Sequence, residues 1–474
     1  MDKNPVRDDV LNQEEKDGSG GGRRRQRVVL FPLPLHGHQN PMLQLAKILD
    51  GRGFSVVVVQ TQFNYIDPSN YPQYSSFTIH SISNGFSQSE ASSMDVVTIL
   101  SLLNLNCVEP FRDCLARLME SKEDAEPVAC LISDAVLHFT QAVADSLNLP
   151  RITLRTSGAS SFLGFAAVLV LRDKGYFPLK DSELEEPVPG LPHLRLKDLP
   201  LINAPNLDSY HNLLDGMIGK TRASAGLIWN SFEELEHDAL SILRHDYGIP
   251  TFPIGPFHKL CPLPSASSSL TADPSATAWL DHHPAKSVVY VSFGSLAALD
   301  ESQFLELAHG VARSNQPFLW VVRPGLVRGS HCLEALPKGF AEAVGGRGHF
   351  VKWAHQQEVL AHEAVGAFCT HAGWNSTLES IGEGVPMICV PCFADQRVNA
   401  RYVSYVWRVG VQVEWGIERG GIERAIRKVM VEKEGEEIRD RIGDLKVKAN
   451  LCASQGGSAH KALENLISHI SAFT

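Results

Sequence analysis

A chain of 474 residues, 44% hydrophobic and 20% charged, has the composition of a globular protein and too much length for one core, so two domains of roughly 200 residues are expected. A formal net charge of −10 argues against nucleic acid or an anionic membrane as main partner, although a small anionic ligand needs only one local site. Nine cysteines without framework spacing, no apolar leader, and a longest apolar run (162–171) far short of the about 20 residues of a membrane span predict a cytoplasmic protein with no integral membrane segment.

Residues 1–26, polar and rich in Gly and Arg, predict a disordered arm. Residues 28–35 read as a buried strand. Asn40 and Pro41 then suit the N-cap and first position of a helix. Its apolar face is Met42, Leu43, Leu45, Ala46, Ile48 and Leu49, and Gly51 and Gly53 stop it. The next strand, 54–60, contains four consecutive valines; apolar strands on either side of a helix predict a parallel sheet covered on both faces. A strand over 128–133 ends at Asp134 and leads into a helical pattern over 136–147. Residues 247–275, rich in Pro, Ser and Gly without a period, predict a linker between a first domain (27–246) and a second (276–455). The second domain opens with a strand at 287–293. A capping box, Asp300 with Gln303, starts a helix in which Phe304, Leu307, Ala308 and Val311 follow at helical spacing. Further strands are expected at 318–322, 365–370 and 386–391. The fold class is α/β, with two Rossmann-like doubly wound domains facing across a cleft and ligands beyond the carboxyl ends of the strands.

The string THAGWNS, residues 370–376, lies where a strand ends and a helix begins. Gly373 admits close backbone approach, the helix supplies free N–H groups and the positive end of its dipole, and His371, Asn375 and Ser376 add donors. A diphosphate fits that chemistry. Gly294 and Ser295, one strand earlier, form a second turn able to face the same anion. Each feature has a plainer alternative as a helix cap. Glu379 on the same helix could accept from vicinal ribose hydroxyls, or lie on a solvated face. Trp353 could stack on a planar base, or pack in the core. Asp395 and Gln396 end another strand and could hold sugar hydroxyls. No Asp-x-Asp occurs, and His355 and His362 lack zinc spacing, so no metal is expected. Cys389 and Cys392 read as buried strand thiols in preference to a redox pair.

Residues 353–396 resemble the signature box of plant family-1 UDP-glycosyltransferases. The family pattern runs W-x-P-Q, V-L-x-H, T-H-x-G-W-N-S, E, G-V-P and D-Q. Here it is met by Trp353, Ala354, His355 and Gln356, by Val359, Leu360 and His362, by THAGWNS, by Glu379, by Gly384, Val385 and Pro386, and by Asp395 and Gln396. FPLPLHGHQNP, LISDA, WNSFEELE and YVSFGS are similar to family landmarks in their order, so the resemblance covers nearly the whole chain after Arg27. The N-terminal half looks like the branch with benzoxazinoid and steviol-glycoside glucosyltransferases. The resemblance implies a GT-B fold, with residues 456–474 as a helix packing back on the first domain. It implies that Trp353 stacks on uracil beside Ala354 and that Gln356 bonds its edge. Glu379 would hold the ribose, and His371, Asn375, Ser376, Gly294 and Ser295 the diphosphate. Trp374, Asp395, Gln396 and Thr156 would lie at the sugar. Gln396 favours UDP-glucose as co-substrate, with no cofactor. Two positions depart from the family: His355 stands where Pro is usual, which puts loop rigidity in question, and His36 where Gln is commoner.

An acceptor hydroxyl is a weak nucleophile until a base takes its proton. The resemblance matches His38, between the first strand and helix, to the family's base, and Asp134 to the carboxylate that orients it. His36 is the rival, because in an extended segment it points the same way as His38; His38 is favoured because it abuts Gly37 and the helix start. The expected reaction is a single displacement at the anomeric carbon that inverts configuration. Phe86, Phe139, Phe162 and Phe165 are candidate linings of an apolar acceptor pocket in the first domain, with core packing as the alternative for each. The acceptor is expected to be a small lipophilic alcohol, phenol or acid, and the protein a monomer.

Overall fold

The structure, a computed structural model, describes residues 25–67, 69, 71–120, 126–202, 206–261, 272–329, 336, 339–414 and 416–473. Most of the expected N-terminal arm, and residues 262–271 of the expected linker, lie outside the described residues.

The apolar strands of the first half stack into one sheet. These are β1 (Arg27–Phe31), β2 (Ser55–Thr61), β3 (Thr78–Ile82), β4 (Val128–Asp134), β5 (Arg151–Arg155), β6 (Gly226–Trp229) and β7 (Thr251–Pro253). Their order is β3-β2-β1-β4-β5-β6-β7 and every pairing is parallel. β2 and β4 are buried along almost their whole length, as a sheet covered on both faces requires. The second half forms β8 (Val288–Ser292), β9 (Phe318–Val321), β10 (Gly348–Val351), β11 (Val365–Thr370), β12 (Met387–Cys389) and β13 (Gly410–Gln412). These pair in parallel in the order β10-β9-β8-β11-β12-β13.

The helices needed below are α1 (His36–Asp50), α2 (Ala159–Asp173), α3 (Glu301–Arg313), α4 (Gln356–Ala361), α5 (Trp374–Glu383), α6 (Gln396–Arg401) and α7 (Ser458–Ser471). The capping box on α3 forms as its sequence predicts: Gln303 N–H donates to Asp300 Oδ1 at 2.8 Å and Asp300 N–H to Gln303 Oε1 at 3.1 Å.

Two boundaries differ from the sequence expectation. β1 ends at Phe31 and α1 begins at His36, with Leu35 as N-cap and Pro41 inside the helix; Asn40 is therefore not the cap. A proline in a helix cannot donate to the carbonyl four residues back, and here that carbonyl is Gly37 O. The residues 247–275 are not all linker, because β7 pairs with β6 and completes the first sheet. As the resemblance implies, α7 packs back on the first domain, laying Leu463, Leu466 and Ile470 into the core around Val28, Leu30, Ile152 and Ile228. Glu464 pairs with Arg52, and His469 Nε2 lies 2.9 Å from Ala225 O. The end of the chain thus packs against the first sheet.

Candidate functional site

The carboxyl ends of both sheets open on one cavity of about 610 Å³, lined from both halves of the chain. On the second-domain side, β11 ends at Thr370 and α5 begins at Trp374, with Gly373 as N-cap and no side chain capping the first N–H groups. Ala372, with φ 61°, takes the left-handed conformation, whereas Gly373 has φ −62°. Glycine is required at 373 for clearance: a Cβ there would meet His371 Nε2 at 2.5 Å. Gly294 has φ +64°, and a Cβ on it would meet His371 Cε1 at 2.6 Å. Two turns thus close on one imidazole.

His371 Nδ1 is buried without a partner. Burial, and then the Arg323 charge, push this histidine down to about 4. Arg323 donates to Gly294 O and to Ala297 O, both at 2.5 Å, which braces the turn that holds Ser295. An imidazole beside a buried cation, at an uncapped helix N-terminus, makes a site suited to an anion.

The neighbouring groups are arranged around α4 and α5. Gln356 Nε2 donates to Ser376 Oγ at 2.9 Å and to Glu379 Oε2 at 2.7 Å, and Gln357 Nε2 donates to Glu379 Oε1 at 2.9 Å. Burial raises the Glu379 pKa, and these two bonds draw it back. Trp353 is half-buried and lines the cavity with Ala354 and His355, so it is not a core tryptophan. His355 has φ −70°, within the range proline imposes; the loop keeps its backbone without the ring.

Asp395 and Gln396 open α6. Asp395 Oδ2 accepts from Asn399 Nδ2 at 3.1 Å. Burial pushes its pKa up, against that bond and the charges of His38 and Arg155. Gln396 Oε1 accepts the N–H groups of Cys392 at 2.9 Å and Phe393 at 3.2 Å, which leaves its NH₂ for a ligand. Trp374 lines the cavity, but its indole nitrogen is engaged elsewhere. Its Nε1 donates to Asn230 O at 2.7 Å, and its ring lies where a Cβ on Gly158 would meet it at 2.9 Å. The polar atom of the indole thus ties the second domain to the first.

On the first-domain side, His38 Nδ1 lies 2.7 Å from Asp134 Oδ2 and 2.8 Å from Thr156 Oγ1. Thr156, which lines the cavity, thus also meets the histidine. Asp134 is 1% exposed, and its Oδ1 accepts the Val136 N–H at 2.9 Å. His36 is not equivalent. Both histidines stand in the first turn of α1, so their side chains diverge instead of pointing one way. Asn375 Nδ2 donates to Gly37 O at 2.8 Å, the carbonyl that Pro41 leaves without its helical donor. That bond ties the turn carrying His38 to the turn carrying His371.

The first-domain part of the cavity is apolar, with Leu33, Leu35, Val96, Leu100, Leu213 and Met217 in its wall. Tyr210 also lines it, but its hydroxyl donates to Pro200 O at 2.5 Å. Of the four phenylalanines proposed as linings, Phe165 faces the cavity. Phe139 packs edge-on against Phe31 and Phe111, Phe162 against Trp229, and Phe86 against Phe63. Sequence reasoning missed Asn230, Arg323, Gln357 and Glu236. Glu236 accepts the N–H groups of Ala159 and Ser160, both at 2.9 Å, and so caps α2 above the cavity. The string WNSFEELE carries two of these residues, but nothing in it names their partners. Cys389 and Cys392 are free thiols, the first buried in β12. Among the described residues, no group of three or more His, Cys, Asp or Glu could hold a metal ion, and no helix is long and apolar enough to cross a membrane.

The family model for "UDP-glucoronosyl and UDP-glucosyl transferase" matches residues 242–441. UDP-glycosyltransferase 76B1 of Arabidopsis thaliana is 49% identical over 446 residues, covering 94% of this chain and 98% of that protein. UDP-glycosyltransferase 76G1 of Stevia rebaudiana is 46% identical over 461 residues, covering 95% and 98%. Among solved structures, Phytolacca americana UGT2 complexed with UDP-2-fluoro-glucose and pterostilbene matches with a TM-score of 0.78 at 29% identity, over 94% of this chain and 100% of that one. A UDP-glucose: anthocyanidin 3-O-glucosyltransferase in complex with UDP matches with a TM-score of 0.82 at 27% identity, over 94% and 99%.

Proposed function

The chain belongs to the UDP-glycosyltransferase family, with its GT-B fold, and we propose that this glycosyltransferase moves glucose from UDP-glucose to a hydroxyl or carboxyl of a small lipophilic plant metabolite, giving a β-glucoside. The observation that carries the proposal is the 2.7 Å contact between His38 Nδ1 and Asp134 Oδ2, on a helix turn bonded directly to the donor loop.

An ionised Asp134 holds the His38 proton on Nδ1, which leaves Nε2 free to take the proton of an acceptor hydroxyl. The deprotonated oxygen attacks the anomeric carbon from the face opposite UDP. The bond to the diphosphate breaks as the new bond forms, and configuration inverts. The leaving group's charge is met by the N-terminus of α5, His371, Asn375, Ser376 and the 294–295 turn, so the reading calls for no metal. Trp353 stacks on the uracil with Ala354 and Gln356 beside it, and Glu379 takes the ribose once a donor displaces Gln356 and Gln357. Asp395 and the Gln396 amide hold sugar hydroxyls. The aliphatic wall beyond His38 offers few hydrogen-bonding groups, which suits a lipophilic acceptor. The complex of UGT2 with UDP-2-fluoro-glucose and pterostilbene supports the same donor and acceptor classes. A cytoplasmic monomer completes the proposal.

The test is product analysis with UDP-glucose, UDP-galactose and a panel of phenols, terpenoids and hormones, with the anomer read by NMR. UDP-glucose is expected to be preferred, the product to be β, and His38→Ala to lose about 10²- to 10⁴-fold in kcat. Full activity in His38→Ala would overturn the mechanism, and preference for another UDP-sugar would overturn the donor.

A further inference from the structure

Among the imidazoles that line the cavity, His36 is one to which the transfer as described gives no role. His36 lines the same space as Gly294, Ser295, His371 and Asn375. Its Nδ1 is buried without a hydrogen-bond partner. It stands in the turn of α1 that Asn375 grips through Gly37 O at 2.8 Å, so its position relative to the donor loop is set by a direct bond. α1 and α5 both begin without a side-chain cap, and that bond joins their first turns.

The charged and titratable groups around His36 are few. Gln39 lies beside it on α1, and Arg323 bears on it from the end of β9. His371, across the cavity on the turn before α5, feels the same Arg323 charge. Asp134 is occupied by His38. Burial lowers the His36 pKa most, Gln39 beside it draws it back, and the Arg323 charge lowers it further.

We propose that His36 is a ligand of the donor's diphosphate, supplied by the first domain, and that it takes up a proton from solvent as the UDP-sugar binds. The inference rests on the cavity being a UDP-sugar site. Without the donor, burial and the Arg323 charge disfavour the protonated ring. A diphosphate diester brings two negative charges beside the ring, and an opposite charge within about 4–6 Å favours the protonated imidazole. The pKa therefore rises on binding. By linkage, affinity for the donor increases as pH falls from above the bound-state pKa toward the free-state pKa. Glutamine, the commoner residue at this position in the family, offers an N–H donor but no such linkage.

The test uses the full-length protein and UDP-glucose without acceptor. UDP-glucose, unlike UDP with its terminal phosphate, has no group that titrates near neutrality. Calorimetry at about pH 6, 7 and 8, in two buffers of different ionisation enthalpy, gives both affinity and proton count. The wild type is expected to bind about three- to tenfold tighter at the low end, with net proton uptake. His36→Gln is expected to match it at the high end, show no tightening and melt at the same temperature. A variant that keeps the wild-type slope places the proton elsewhere and overturns the proposal, as does a wild type without a slope. A wild type that fails to bind UDP-glucose at any pH overturns the donor reading itself.

Discussion

Replacing Asp134 by Asn removes one charge and almost no volume, and the structure sets the consequence. Asp134 Oδ1 accepts the Val136 N–H at 2.9 Å, so the oxygen of the new carboxamide stays on that side and its NH₂ turns to His38. A donor facing Nδ1 forces the proton onto Nε2, the atom that has to accept from the substrate. The alternative, with the amide flipped, leaves NH₂ against the Val136 N–H in a buried place and costs about 1–3 kcal/mol. The variant also loses the attraction between carboxylate and imidazolium. For unit charges about 4 Å apart at an effective dielectric of 20 this is about 4 kcal/mol, or roughly 10³-fold in rate. The expected kcat of Asp134→Asn is thus about 10²- to 10⁴-fold below wild type, the range a general base contributes. Its KM for UDP-glucose is expected to be unchanged, because Asp134 bonds His38 and the Val136 N–H and none of the groups assigned to the donor. Initial rates by product chromatography over a range of UDP-glucose concentrations separate kcat from KM. A kcat within tenfold of wild type, in a variant of normal thermal stability, refutes the reasoning.

Two further substitutions probe the donor side. Gly373→Ala puts a Cβ 2.5 Å from His371 Nε2. The imidazole has to shift, and UDP-glucose affinity measured by calorimetry is expected to fall by about tenfold or more; unchanged affinity would show that His371 does not set the donor site. Glu379→Gln separates stability from binding. Burial raises the Glu379 pKa in the folded state, so its favourable contribution is complete below the unfolded pKa and lost as pH rises through the folded one. The variant without ligand is expected to melt above wild type at about pH 7 and to lose that advantage near pH 4, while binding UDP-glucose about tenfold more weakly. An advantage of equal size at both pH values in thermal-shift assays contradicts the buried-carboxylate account.

Much of the donor half is legible from local pattern alone. Apolar strands, helical spacing and a glycine-bearing string at a strand–helix junction are properties of neighbouring residues, and neighbours are what a sequence displays. That sufficed for the parallel sheets, for THAGWNS at the end of β11 and for the capping box at Asp300. It did not suffice where partners come from distant parts of the chain. The choice between His36 and His38 turned on a helix that starts four residues before its expected cap. Only the packed structure puts Asp134 and Thr156 on one nitrogen, assigns the Trp374 indole to Asn230, and uses the Gly37 carbonyl, freed by Pro41, to hold Asn375. β7 likewise reads as linker until the first sheet is present to receive it. The physical reason is common to all of these cases. Hydrogen-bond partners and buried faces are chosen by proximity in space, which depends on how the two sheets and their helices pack, whereas the sequence alone carries the periodicity that makes each element and the residue types that equip it for chemistry.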